Sequence, residues 1–145
     1  MYGTYLMTGQ GLIYYPNTGF AGIDTMTYEL CNMLNECGTA LITITVLDTQ
    51  VPLVTLSGST PITIDQGTTY TEQGATWTDN ADGSGTILTA TSGTVDTNTI
   101  GTYILEYTYT DGEDNSGSAM RTVNVTDQTN PVVTLSGLTS ITINQ

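Results

Sequence analysis

Tyr103-Ile-Leu-Glu-Tyr-Thr-Tyr109 alternates without a break: Tyr103, Leu105, Tyr107 and Tyr109 fall on one side, and Ile104, Glu106 and Thr108 on the other. Alternation with a period of two is the pattern of a strand with one buried face, and such a face needs a second sheet to cover it. Downstream, Asp111-Gly-Glu-Asp-Asn-Ser-Gly117 reads as a hairpin loop whose Gly and Asn residues supply positive φ. It leads into a second alternating run, Ala119-Met-Arg-Thr-Val-Asn-Val125. Ile62 to Ile64 and Ile87 to Ala90 repeat the pattern, and no window has helical periodicity. Short strands with turn signals every 8 to 12 residues or so predict an all-β fold, an antiparallel sandwich of roughly seven strands. A closed barrel is the alternative.

The size of the unit comes from a repeat. Asp48 to Gln66 (DTQVPLVTLSGSTPITIDQ) returns as Asp127 to Gln145 (DQTNPVVTLSGLTSITINQ), with 12 of 19 positions identical at an offset of 79. A period near 80 residues is too long for a solenoid rung and suits a small autonomous domain. The expected organisation is a partial domain over 1–47, a complete unit over 48–126, and the start of another over 127–145. Both ends are expected to be cut from a longer tandem array. Met1 reads as an internal residue or an introduced start.

Composition narrows the chemistry. Fourteen acidic residues face one basic residue, Arg121, and with Lys and His absent the formal net charge is -13. Nucleic acid and anionic lipid are poor partners, because phosphate neutralisation and polybasic attraction both need cations. The absence of His removes the usual proton shuttle near neutral pH, and the absence of Lys removes Schiff-base chemistry, so an enzyme is not expected. No run of about 18 apolar residues offers a membrane span, and the first residues lack the features of a signal peptide. Thr, Ile, Val and Tyr are abundant, which argues for folded strands over disorder.

Cys31 and Cys37 carry the compartment signal. If the flanking runs form a hairpin, Met26, Tyr28 and Leu30 alternate onto one face and Ile42, Ile44 and Val46 onto one face. Both cysteines then fall on the opposite face, at facing positions close enough to bond. Such a disulfide contributes roughly 2 kcal/mol on the chain-entropy model and points to an extracytoplasmic protein. Two free thiols are the alternative.

Pro52-x-Val54-Thr-Leu56, Gly67-Thr-Thr-Tyr70, Gly74-Ala75, Asp79-x-x-Asp82-Gly83, Gly93-Thr-Val-Asp96, Gly101-Thr-Tyr103 and Tyr107-x-x-x-Asp111 resemble the bacterial immunoglobulin-like repeat of large surface proteins and of one class of crystal toxin. Tyr15-Pro-Asn-Thr-Gly-Phe20 through Tyr28-x-x-Cys31, with Cys37 to Val46, is similar to the C-terminal half of a bacterial cadherin-like or Ig-like adhesin domain. These resemblances imply tandem Ig-like sandwiches in a secreted, non-catalytic protein of the bacterial cell surface, often an adhesin.

In an Ig-like sandwich the loops at Thr78–Gly83 and Asp111–Gly117 share the pole where the first strand begins. Asp79, Asp82, Asp111, Glu113 and Asp114 are therefore expected to crowd beside Asp48, with Asp24 contributed from the preceding segment. Asp96 and Asp127 take corresponding places at the next junction. Crowded carboxylates repel unless a cation neutralises them, and oxygen ligands without His or thiolate suit Ca²⁺. The metal set read from the sequence is thus Asp24, Asp48, Asp79, Asp82, Asp111, Asp114, Asp96 and Asp127. The plainer reading is a solvated acidic surface, and the sequence alone favours it. Asn and Asp ordinarily sit in loops, and no EF-hand spacing is present.

Trp77 and the tyrosines could serve as a sugar platform, but Tyr103, Tyr107 and Tyr109 have inward parity and Trp77 shares parity with Ala75, so core is the simpler reading. Arg121 shares parity with Val123. A cation-π contact with Tyr107 is one reading, and a cation reaching a sheet edge is the favoured one. The expected function is a structural spacer in a long surface adhesin or filament, partnered by neighbouring Ig-like domains of its own chain and by other surface or secretion components. Alternatives are a carbohydrate- or receptor-binding module and an accessory domain of a toxin.

Overall fold

The computed structural model describes residues 2–137 and 140–143. Met1, Leu138, Thr139, Asn144 and Gln145 lie outside the described residues, and with them the reading of Met1 and part of the second copy of the repeat. Ten strands follow in order: β1 (Gly3–Thr8), β2 (Gly11–Pro16), β3 (Gly22–Cys31), β4 (Cys37–Val46), β5 (Leu53–Leu56), β6 (Ile62–Asp65), β7 (Ala75–Asp79), β8 (Gly83–Ile87), β9 (Gly101–Thr110) and β10 (Ser116–Thr126). The described residues contain no helix.

β5 to β10 form two three-stranded sheets, β5-β7-β8 and β6-β10-β9. The alternating run of β9 turns Leu105 and Tyr107 fully inward, and β10 does the same with Arg121, Val123 and Val125. Val54 and Ala75 close the core from the other sheet, with Leu56, Ile64, Tyr70, Trp77, Ile87 and Tyr103 packed around them. Each apolar side chain of that size contributes roughly 2 kcal/mol when fully buried.

The antiparallel expectation needs one amendment, because β6 runs parallel to β10, with Val123 opposite Ile62 and Val125 opposite Ile64. The chain changes sheets between Leu56 and Ile62 without reversing direction. β5 thus lies antiparallel to β7 while β6 lies parallel to β10. Six strands and a bridge between Ser92 and Glu106 make up the roughly seven expected. The run at Ile87 to Ala90 also ends earlier than its alternation suggests. β8 stops at Ile87, and Leu88 is exposed.

Positive φ in the 111–117 loop belongs to Asp114 (φ 67°) and to neither Gly112, Asn115 nor Gly117. Gly117 is needed for a different reason. The carbonyl oxygen of Pro52 lies where its Cβ would be, so the segment entering β5 rests directly on β10.

Arg121 is not at a sheet edge. It is completely buried, and its Nη1 donates to Glu72 Oε1 and to the Tyr107 hydroxyl, each at 2.9 Å. Its Nη2 donates to the carbonyls of Ser57 and Gly74, and its carbon centre lies 5.3 Å from the centroid of the Tyr107 ring. Burial of a guanidinium is tolerable only with such partners, and Glu72, whose own side chain is 25 % exposed, supplies the opposite charge.

Ahead of these sheets lie two hairpins, β1-β2 and β3-β4. In the second, Cys31 faces Cys37 and the two are joined by a disulfide, as parity requires. Among the described residues the second copy of the repeat forms no strand, and Val132, Val133, Leu135, Ile141 and Ile143 are exposed. In the first copy the matching residues are held by β7 and β10, which follow it in the chain. A strand without a partner has no ladder to join.

Candidate functional site at the acidic pole

Trp77 and Tyr109 set the geometry of this pole. They lie on facing sheets and stack with ring centroids 3.6 Å apart and planes 7° from parallel. Trp77 precedes Asp79 by two residues, and Tyr109 precedes Asp111 by two. The stack therefore brings the β7-β8 and β9-β10 turns side by side. Asp82 Oδ2 joins them, accepting from the Gly112 N–H at 3.0 Å and from the Tyr109 hydroxyl at 3.2 Å.

Each turn is organised by its first carboxylate. Asp79 Oδ1 accepts the N–H groups of Ala81 and Asp82. Asp111 Oδ1 accepts those of Glu113 and Asn115, while its Oδ2 accepts Asn115 Nδ2 at 2.8 Å. Side-chain capping of this kind fixes Asp-rich turns. The same Asn115 amide reaches the backbone carbonyl of Asp48 at 3.3 Å, which draws the linker onto the turn. Asn115 was not singled out by the sequence, although its place four residues after Asp111 in Asp-Gly-Glu-Asp-Asn is a usable signal.

One carboxylate oxygen each from Asp48, Asp111 and Glu113 lie within 4.8 Å of one another. Asp48 is only 6 % exposed and Asp111 only 7 %. Burial alone raises the Asp111 pKa, but the Asn115 side chain and the backbone donors outweigh it and hold the carboxyl below its ordinary range. Glu113 goes the other way. Lost hydration, then the charges of Asp111, Asp82, Asp48 and Asp79, push it up.

The remaining sequence candidates stand outside this cluster. Asp24 sits inside the first segment, where Oδ2 accepts the Tyr2 N–H and the Tyr14 hydroxyl and Oδ1 accepts the Thr25 N–H. Those donors, the Tyr2 N–H foremost, lower its pKa, and burial together with Asp24 pushes the Tyr14 hydroxyl up to about 12. Asp114 is exposed at the tip of its turn. Asp96 caps its own loop through Asn98 and Thr99, and Asp127 Oδ1 accepts the Thr129 N–H. These last two border the opposite pole, where Gln66 meets Asn98 and Thr126.

No curated protein matches the chain at a significant level. Residues 54–125 match the family model described as "Bacterial surface protein, Ig-like domain", and this stretch of the chain is a bacterial Ig-like surface domain.

Proposed function

We propose that the chain is a spacer segment of a multidomain bacterial surface protein, in which Ig-like domains joined end to end carry an adhesive or filament-forming part away from the cell. The observation that carries this reading is where the backbone enters and leaves the sandwich. It enters beside Asp111, with Asp48 held by Asn115. It leaves at the other pole, where Asp65 accepts the Gln128 N–H and the Thr129 hydroxyl. The repeat then begins again at Asp127. Tension between these points runs along the parallel β6-β10 pair and loads its hydrogen bonds together, an arrangement suited to bearing load. The six residues between β4 and β5 are too few for independent tumbling, and Pro52 restricts Val51 to extended conformations. An Ig-like surface domain is typically non-catalytic and suggests a place outside the cell. Among the described residues no helix is long and apolar enough to cross a membrane. The units are proposed to be 1–47, 48–126 and 127–145, with the neighbouring domains of the same chain as principal partners.

Force spectroscopy on the 145-residue chain tests the reading. A discrete unfolding event is expected, releasing about 25 nm for the residues of β5 through β10 at roughly 3.4 Å each. Unfolding at negligible force would overturn the spacer role. Saturable binding on a glycan array would favour a ligand-binding module instead.

A further inference from the structure

The linker carboxylate of Asp48 is incompletely satisfied. Its Oδ1 accepts the Gln50 N–H at 3.0 Å, but its Oδ2 is buried and meets no donor. An ionised carboxylate held at 6 % exposure with one free oxygen is costly unless a positive charge is near. The protein has none to offer. Lys and His are absent, and the single Arg121 is engaged with Glu72 in the core.

The free oxygen belongs to the side chain grouped with Asp111 and Glu113. Asp111 accepts three hydrogen bonds on a group with about four acceptor sites, so it retains capacity. Glu113 is exposed and completes the outer side of the cluster. Beside it, Asp79 Oδ2 is a second buried carboxylate oxygen without a partner.

The donor set selects among cations. Magnesium demands near-ideal octahedral geometry, dehydrates reluctantly and is seldom held by an all-protein cage, whereas calcium takes several carboxylate oxygens in flexible geometry. Three carboxylates drawn together from a linker and a turn suit the second. An all-oxygen set does not suit zinc, which prefers nitrogen and sulfur.

We infer that Asp48, Asp111 and Glu113 form a calcium site that fastens the linker entering the Ig-like domain to the β9-β10 turn. The ligands lie 63 and 65 residues apart along the chain, so the site exists only in the folded state, and occupancy stabilises that state by mass action. The site stands on its own geometry and does not depend on the spacer role. Compared with the set read from the sequence it is narrower: Asp79 and Asp82 supply field, while Asp24, Asp96, Asp114 and Asp127 take no part.

Calorimetric titration of the 145-residue chain with calcium chloride, in buffer near physiological ionic strength, tests the inference. One saturable site per chain is expected, with magnesium chloride giving no comparable isotherm. Asp48→Asn keeps the Gln50 contact, and Glu113→Gln alters an exposed side chain that the fold does not use. Each is expected to weaken calcium about tenfold or more, since affinity follows ligand charge, while Asp127→Asn binds as the wild type does. Thermal unfolding in chelator confirms that the variants are folded. No saturable calcium binding in the wild type, equal response to magnesium, or unchanged affinity in both Asp48→Asn and Glu113→Gln would each overturn the site and leave a solvated acidic surface.

Discussion

Arg121 Nη1 lies 2.9 Å from Glu72 Oε1, which places the one cationic side chain of a strongly acidic protein in its core and not among its surface carboxylates. The pair joins β10 to the segment before β7, and through the carbonyls of Ser57 and Gly74 it also holds the end of β5. Removing one member of a buried pair leaves the other uncompensated and costs about 3–5 kcal/mol. Arg121→Met is expected to lose at least about 3 kcal/mol in urea denaturation. Arg121→Met combined with Glu72→Gln is expected to lose less than the sum of the single changes, because contacting residues are not additive.

Glu72 also makes stability depend on pH. Burial raises its pKa, but the Tyr107 hydroxyl, the Gly74 and Gln73 N–H groups and Arg121 more than reverse this, so the net shift is downward from the ordinary 4.5. A carboxyl with a depressed folded pKa contributes stability above its unfolded value and loses that contribution as pH falls through the folded one. Urea midpoints are therefore expected to be level down to about pH 5 and to fall below it. Asp24, Asp96 and Asp111 shift in the same direction, so the comparison is with Glu72→Gln, whose midpoint should fall less steeply over the same interval.

Trypsin offers a simpler assay. It cuts after Lys or Arg, and the only such bond in the chain follows Arg121, which has no exposed surface and lies within β10. The native chain is expected to resist trypsin over hours and to be cut once in urea, the rate following the open population. Prompt cleavage of native protein after Arg121 would show that β10 is not held as described.

The strands were legible because a period of two survives in sequence: Tyr103 to Tyr109 and Ala119 to Val125 announce their inward faces without reference to anything distant. The disulfide was legible for the same reason, since parity across one hairpin sets Cys31 opposite Cys37. The turns meeting at the acidic pole could be named because the order of strands in an Ig-like sandwich sets those two loops at the same end, where the stack of Trp77 on Tyr109 then holds them together. The contact of Arg121 with Tyr107 was legible across the hairpin, but its burial was not, because its partner Glu72 lies 49 positions away and nothing local marks that segment as its neighbour. The donors to Asp24 were illegible for a related reason: Tyr2 and Tyr14 reach it only after two hairpins have packed. Positive φ fell to Asp114 because the Asp111 carboxylate dictates the course of that turn, and glycine was merely the commoner candidate.

Gly117 supplies a last test, at the junction itself. It stands opposite Tyr109 in the β9-β10 register, and the Pro52 carbonyl occupies the space of the missing side chain. Gly117→Ala must push the linker outward or shift β10, an overpacking change that costs typically 1–3 kcal/mol. Displacement of Pro52 also loosens the hold of Asn115 on Asp48, and the Tyr109 ring opposite is disturbed where it stacks on Trp77. Since Trp77 is the only tryptophan, its fluorescence reports on this pole alone. The variant is expected to shift that emission and to lower the urea midpoint. Gly38→Ala, in β4 where a Cβ meets nothing within 4 Å, is expected to leave the emission unchanged and to be neutral or slightly stabilising through reduced freedom of the unfolded chain. Equal behaviour of the two alanine variants would show that the linker does not rest on β10.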